Sequence, residues 1–171
     1  RESNPRDPDS DDDGLSDEIE WIHGSDPWIA DTDGDDLQDA YEDSLGTELC
    51  VADSDGDGLV DYEEVFGLYV EGIGTVFPSP LDNDSDDDGL TDFDECKLYY
   101  TNPRDPDTDH DGLFDYDEKT MNTDPCSPDT DNDNVTDWDE IFLYGTNATL
   151  NDTDGDGLLD GQEIYGVNIV G

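Results

Sequence analysis

The segment Asp53-Ser-Asp55-Gly-Asp57-Gly58-Leu59-Val-Asp61-Tyr-Glu-Glu64 sets carboxylates at positions 1, 3, 5, 9 and 12 of a loop. That spacing suits a hard cation, above all calcium, which takes roughly six to eight oxygen ligands at ~2.3–2.6 Å. Side chains at positions 1, 3 and 5 of a curling loop converge on one point. Position 7 lends its backbone carbonyl, and position 9 ligates directly or through a water. The Glu at position 12 is one methylene longer and closes the shell with both oxygens.

The pattern Asp-x-Asp-x-Asp-Gly-Leu-x-Asp-x-x-Glu is written seven times. The candidate ligands are Asp9, Asp11, Asp13, Asp17 and Glu20 in the first loop, and Asp31, Asp33, Asp35, Asp39 and Glu42 in the second. The third has Asp53, Asp55, Asp57, Asp61 and Glu64, and the fourth has Asp84, Asp86, Asp88, Asp92 and Glu95. Asp107, Asp109, Asp111, Asp115 and Glu118 make the fifth, and Asp129, Asp131, Asp133, Asp137 and Glu140 the sixth. Asp152, Asp154, Asp156, Asp160 and Glu163 make the seventh. Position 6 must turn with φ > 0, which favours Gly. Gly14, Gly58, Gly89, Gly112 and Gly157 comply, while Asp36 and Asn134 are the next most tolerant types and mark the loops expected to bind more weakly.

Position 1 recurs at steps of 22, 22, 31, 23, 22 and 23 residues. A near-constant period of this length signals a stacked repeat array and not one globular core. The expected fold is an elongated, calcium-stabilised, solenoid-like array of mostly irregular loops with short helical turns. Residues 1–171 read as one continuous array of loops 9–20, 31–42, 53–64, 84–95, 107–118, 129–140 and 152–163, with an insertion at about 67–80. The first residues match a later linker, Asn102-Pro103-Arg104-Asp105-Pro106-Asp107, so the sequence reads as a piece of a longer chain.

An EF-hand keeps its aliphatic residue at position 8; here it is at position 7, as in Leu15, Leu37 and Leu59, and the flanks are too short for two long helices per loop. Together with linkers such as Tyr100-Thr-Asn-Pro103, Asn122-Thr-Asp-Pro125 and Tyr144-Gly-Thr-Asn147, the pattern resembles thrombospondin type 3 repeats in their short prokaryotic form. The resemblance covers essentially the whole chain. It implies calcium-wrapped repeats with little regular secondary structure, on extracellular proteins, without catalysis. The regular disulfides of the animal form are missing, since this chain has only Cys50, Cys96 and Cys126.

The formal charge is 5 − 52 = −47. Leu, Ile, Val and Phe make up 34 of 171 residues, close to the ~20% below which a charged chain stays disordered. Metal binding and folding are therefore expected to be one event. Seven calcium ions bring −47 to −33, and fourteen bring it to −19. Extra acids hint at second ions: Asp7, Asp82 and Asp105 precede position 1, and Asp12, Asp87, Asp94, Asp117 and Asp139 lie in or beside the loops. Modules outside cells bind calcium at ~10⁻⁴–10⁻³ M, which places the array in the extracellular space or on a cell surface. Such an acidic chain excludes nucleic acid as a partner, and no apolar stretch is long enough to insert in a membrane.

A helical turn or two is expected from position 9, packing an apolar patch such as Trp21-Ile22, Leu98-Tyr99 or Ile141-Phe142 on the position 7 Leu and the next linker. The insertion, the most apolar stretch, reads as a hairpin-like excursion or a contact site, with a counterpart in Tyr165–Gly171. A Cys96–Cys126 disulfide is one pairing among those open to three cysteines. Asn83, Asn134, Asn147 and Asn151 head glycosylation sequons, Asn147 being best placed. His23 and His110 are too few and too far apart in sequence for a transition-metal or catalytic site. The leading expectation is a calcium-braced rod serving as stalk, spacer or filament, with the chain itself as a partner where rods assemble. A surface adhesion module that contacts glycans, and a calcium-buffering or mineral-nucleating matrix protein, are the alternatives.

Overall fold

A computed structural model describes residues 7–166. Each loop leads into one short helix that starts at position 9. The helices are α1 (Asp17–His23), α2 (Asp39–Leu45), α3 (Asp61–Phe66), α4 (Asp92–Asp94), α5 (Asp115–Met121), α6 (Asp137–Asp139) and α7 (Asp160–Tyr165). The start is set by the loop. Position 8 is extended, as at Ser16 (φ −89°, ψ 146°), and the position 9 N–H closes the loop onto the carbonyl just before position 1, as Asp17 does on Pro8. Acids in the first turn then face the helix N-terminus, where negative charge is favoured. The helix ends at a left-handed residue, Gly24, Gly46 or Asn122, four positions beyond the Glu.

Two repeats are one residue longer, and the structure shows where the extra residue goes. Glu95–Tyr99 and Glu140–Tyr144 form π-turns that continue α4 and α6, so the left-handed caps Tyr100 and Gly145 come five positions after the Glu. These are the repeats with 23-residue steps. A π-turn takes up one inserted residue without moving the loop before it or the linker after it.

The insertion is a hairpin. Strand β1 (Leu68–Val70) pairs antiparallel with β2 (Gly74–Val76) in the register Leu68 with Val76. Gly67 enters it at φ 84°, ψ 144°, a conformation reserved for Gly, and a Cβ there would lie 2.7 Å from Phe77. Gly166 takes the same shape (φ 82°, ψ 143°); the rest of the C-terminal counterpart lies outside the described residues. Val70 and Val76 pack with Leu59 and Cys96, flanked by Leu68 and Phe93.

Elsewhere the apolar interior is about one side chain per repeat. The position 7 residues Leu15, Leu37, Leu59, Leu90, Leu113 and Val135 are all buried, whereas Leu158, with no described repeat after it, is 39% exposed. The following repeat therefore provides the cover. The apolar patches behave differently from expectation. Trp21, Ile22, Phe66, Leu98 and Phe142 remain exposed, because the helix face turned inward carries the position 9 and 12 acids instead.

The expected Cys96–Cys126 bridge is not formed, and all three cysteines are free thiols. The π-turn points Cys96 into the hairpin core, 3% exposed, where burial raises its pKa to about 12. Cys126 lies in the linker before the sixth loop, where its thiol donates to the Tyr100 carbonyl at 3.4 Å. If the following repeat covers position 7, Leu59→Ala costs about 2–5 kcal/mol in calcium. Leu158→Ala, at the same loop position, costs under ~1 kcal/mol. Thermal unfolding of the two variants checks the difference.

Candidate metal centres

Within each loop the backbone N–H groups hold an oxygen of each carboxylate at positions 1, 3 and 5. The position 6 N–H donates to position 1 Oδ2, the position 5 N–H to position 3 Oδ1, and the position 7 N–H to position 5 Oδ1, as Gly58, Asp57 and Leu59 do to Asp53, Asp55 and Asp57. This arrangement needs left-handed backbone at position 6, and Asp36 (φ 81°) and Asn134 (φ 77°) adopt it as the glycines do. Position 4 is left-handed too: Asp12, Gly34, Gly56, Asp87, His110, Asn132 and Gly155 all have φ between 63° and 83°. Asp12 and Asp87 are thus turn residues that point to solvent.

The remaining oxygens converge. Positions 1, 3 and 5 gather in clusters such as Asp9, Asp11 and Asp13 or Asp107, Asp109 and Asp111, with one carboxylate oxygen of each within 4.8 Å of the others. Position 3 Oδ2 is buried without a donor in Asp11, Asp33, Asp55, Asp86, Asp109 and Asp131. Both carboxylate oxygens of Glu20, Glu42 and Glu64, and Oε2 of Glu95, Glu118 and Glu140, are likewise orphaned. These six glutamates are at most 1% exposed. Buried anionic oxygens without donors carry a steep desolvation cost, and a divalent cation at their meeting point removes it. The donor set, all hard carboxylate oxygens, fits calcium.

Position 9 plays a different part from the one expected of it. Its two oxygens accept from position 2 of the same loop, Oδ1 from the backbone N–H and Oδ2 from the hydroxyl. Ser10–Asp17, Thr32–Asp39, Ser54–Asp61, Ser85–Asp92, Thr108–Asp115, Thr130–Asp137 and Thr153–Asp160 all make the hydroxyl bond, at 2.6–2.9 Å. In six loops that hydroxyl also accepts a linker N–H, as from Asn102 to Thr108 at 2.9 Å. Position 2, Ser or Thr in every copy, is the site residue that the metal-loop pattern treats as free.

The second missed feature joins repeats. Oδ2 of each position 5 Asp accepts the position 10 N–H of the next repeat. The pairs are Ala40–Asp13, Tyr62–Asp35, Phe93–Asp57, Tyr116–Asp88, Trp138–Asp111 and Gly161–Asp133, at 2.6–3.1 Å. All six junctions are closed in this way, including the one interrupted by the hairpin. Position 10 thereby lies against position 6 of the repeat before: a Cβ on Gly58 would meet Phe93 at 3.2 Å, and one on Gly112 would meet Trp138 at 3.2 Å. Where position 6 is Asn134, position 10 of the next repeat is Gly161, whose own added Cβ would lie 2.1 Å from the Asp133 carbonyl.

This junction carries the next repeat's position 9 acid to the rim of the site. Asp39, Asp61, Asp92, Asp115, Asp137 and Asp160 are at most 1% exposed, while Asp17, with no described loop before it, is only half-buried. Burial, and after it the charges of Asp55, Asp57, Asp61 and Asp92, lifts Glu64 to about 9; Glu95 and Glu118 also reach about 9, Glu42 about 8, Glu20 and Glu140 about 7. Asp109 rises to about 7, and Asp33, Asp55, Asp86 and Asp131 to about 6, again chiefly through burial.

Of the sequon residues, Asn83, Asn134, Asn147 and Asn151 are all exposed. Asn134 occupies the tight turn, and Asn147 Oδ1 accepts the hydroxyl of Thr149, the third residue of its own sequon.

Two predictions follow the geometry. Thr108→Val strands Asp115 Oδ2 and the Asn102 N–H, and costs about 1–3 kcal/mol in calorimetry of the calcium form. The raised carboxyl values fix a pH dependence. Without metal, the folded chain keeps protons that the unfolded chain has lost above the ordinary value of 4.5. Folding of the metal-free chain is then most favourable below that value and weakens up to about pH 9. Calcium competes with the same protons, so its affinity rises with pH across that window. Circular dichroism in chelator and calcium titration at several pH values read the two opposite slopes; parallel slopes contradict the assignment.

The family description "Bacterial TSP3 repeat" matches residues 9–28, 53–66, 107–128 and 152–165, each segment containing one of the odd-numbered loops. No curated protein matches the chain. Thrombospondin type 3 repeats bind calcium, and the clustered carboxylates agree with that. No helix among the described residues is long and apolar enough to cross a membrane. Four segments of the chain are thus similar to the bacterial thrombospondin type 3 repeat.

Proposed function

We propose that this chain is an extracellular structural element, a calcium-braced rigid rod that forms a stalk, spacer or filament and performs no catalysis. The observation that supports this reading most is the junction hydrogen bond from position 5 to the next repeat's position 10, repeated at all six steps. A carboxylate that belongs to one ion cluster is also the latch for the next repeat, so occupancy and inter-repeat geometry are coupled.

In this reading positions 1, 3, 5 and 12 of each loop hold an ion, and the following repeat's position 9 closes the rim. At least seven ions bind, and a second ion per repeat takes the formal charge from −33 to −19. Each ion joins carboxylates that otherwise repel, and a file of such crosslinks stiffens the chain along its length. Typical homes of these repeats are outside the cell.

A groove flanked by Trp21 and Trp28, with Asp26 and Thr32 between them, favours adhesion as the second reading. Aromatic faces beside polar groups suit a glycan.

Small-angle scattering and circular dichroism, with calcium and then with chelator, test the main reading. The expected result is an elongated, rigid particle in calcium and an expanded, helix-poor chain in chelator. Unchanged profiles sink it. A flexible coil with calcium bound points to buffering or mineral nucleation, and glycan capture lost in Trp28→Ala points to adhesion.

A further inference from the structure

We propose that the cleft between α1 and α2 is a site for one soft or borderline divalent cation such as zinc, held by His23, Asp43 and Cys50 and separate from the carboxylate loops. The cleft measures about 470 Å³, and these three residues are among those that line it. His23 Nδ1 stands 3.8 Å from Asp43 Oδ1. Zinc ligands at ~2.0–2.1 Å in a tetrahedron lie roughly 3.3 Å apart, so a small side-chain adjustment brings both onto one ion.

The repeat supplies an independent view of the same three slots. His23 precedes a left-handed cap, Asp43 follows a position 12 Glu, and Cys50 lies three residues before position 1. The matching residues three junctions on are Tyr99, Lys119 and Cys126. There Lys119 Nζ sits 4.8 Å from the Tyr99 ring centre, and Cys126 Sγ lies 3.9 Å from the Tyr99 carbonyl oxygen. At that junction the first slot therefore touches both of the others, through its ring and through its backbone carbonyl. Only in the first junction do they carry an imidazole, a carboxylate and a thiol. That donor set selects zinc-like ions over calcium, which takes oxygen alone, and three protein ligands leave a fourth position for water.

Cobalt(II) is the probe, added to calcium-loaded protein so that the carboxylate loops are already filled. The expected result is one cobalt per chain with a thiolate-to-cobalt charge-transfer band. Cys50→Ser abolishes the band, His23→Ala weakens binding roughly tenfold or more, and Cys126→Ser leaves both unchanged. In the unaltered chain, zinc protects Cys50 but not Cys126 from alkylation. The proposal is overturned by the absence of the band, by its survival in Cys50→Ser, or by equal alkylation of Cys50 with and without zinc.

Discussion

Everything in this fold depends on bringing carboxylates together in places that water cannot reach. The largest fully buried side chains include six glutamates as well as the leucines beside them. An interior of that kind inverts the usual balance of a small domain. Leucine at position 7 contributes one buried apolar side chain per repeat, while each neighbouring cluster of acids opposes folding through desolvation and mutual repulsion. The opposition shows in how far Glu64, Glu95 and Glu118 are driven from ordinary carboxyl behaviour. A cation reverses its sign, which is why folding and metal binding belong to one equilibrium.

The backbone is arranged to present this charge and not to hide it. Within a loop, an amide group holds one oxygen of the position 3 Asp and leaves the other without a donor in six loops. Between loops, the same acids become connectors. Ser or Thr at position 2 fixes the position 9 acid, which the next junction then presses against the preceding cluster. The rings of Phe93, Tyr116 and Trp138 at position 10 rest on the bare backbone of Gly58, Gly89 and Gly112 at position 6. Asn134 and Gly161 show the pair exchanging bulk across the interface, the larger residue moving from one repeat to the other.

Much of this was legible in the residues. The spacing of carboxylates located every cluster, and the period located every helix start, because position 9 begins a helix for the same reason in each copy. Asp36 and Asn134 were readable as left-handed positions. Ser or Thr at position 2 was equally visible, but a loop template built around ligands assigns it no task. The junction bond could not be read at all, since its donor is a backbone N–H common to Ala40, Phe93 and Gly161 alike. The exposed Trp21 and Phe142 were misjudged because burial was credited to apolar side chains, when buried acids had taken the inner face. The Cys96–Cys126 pairing, one of those open to three cysteines, is not made, because Cys96 packs into the hairpin core.

The asymmetry of cover has a consequence for how such a chain matures. Position 7 and the Glu at position 12 are sealed by the repeat that comes after them, as the exposed Leu158 and Glu163 show by contrast. A polypeptide threaded through a membrane N-terminus first would deliver each cluster unsealed and complete it only when the succeeding repeat arrived. Folding would then trail emergence by one repeat, each captured ion locking the segment just released. Such a ratchet works only where the ion is scarce on the side of departure and plentiful on the side of arrival.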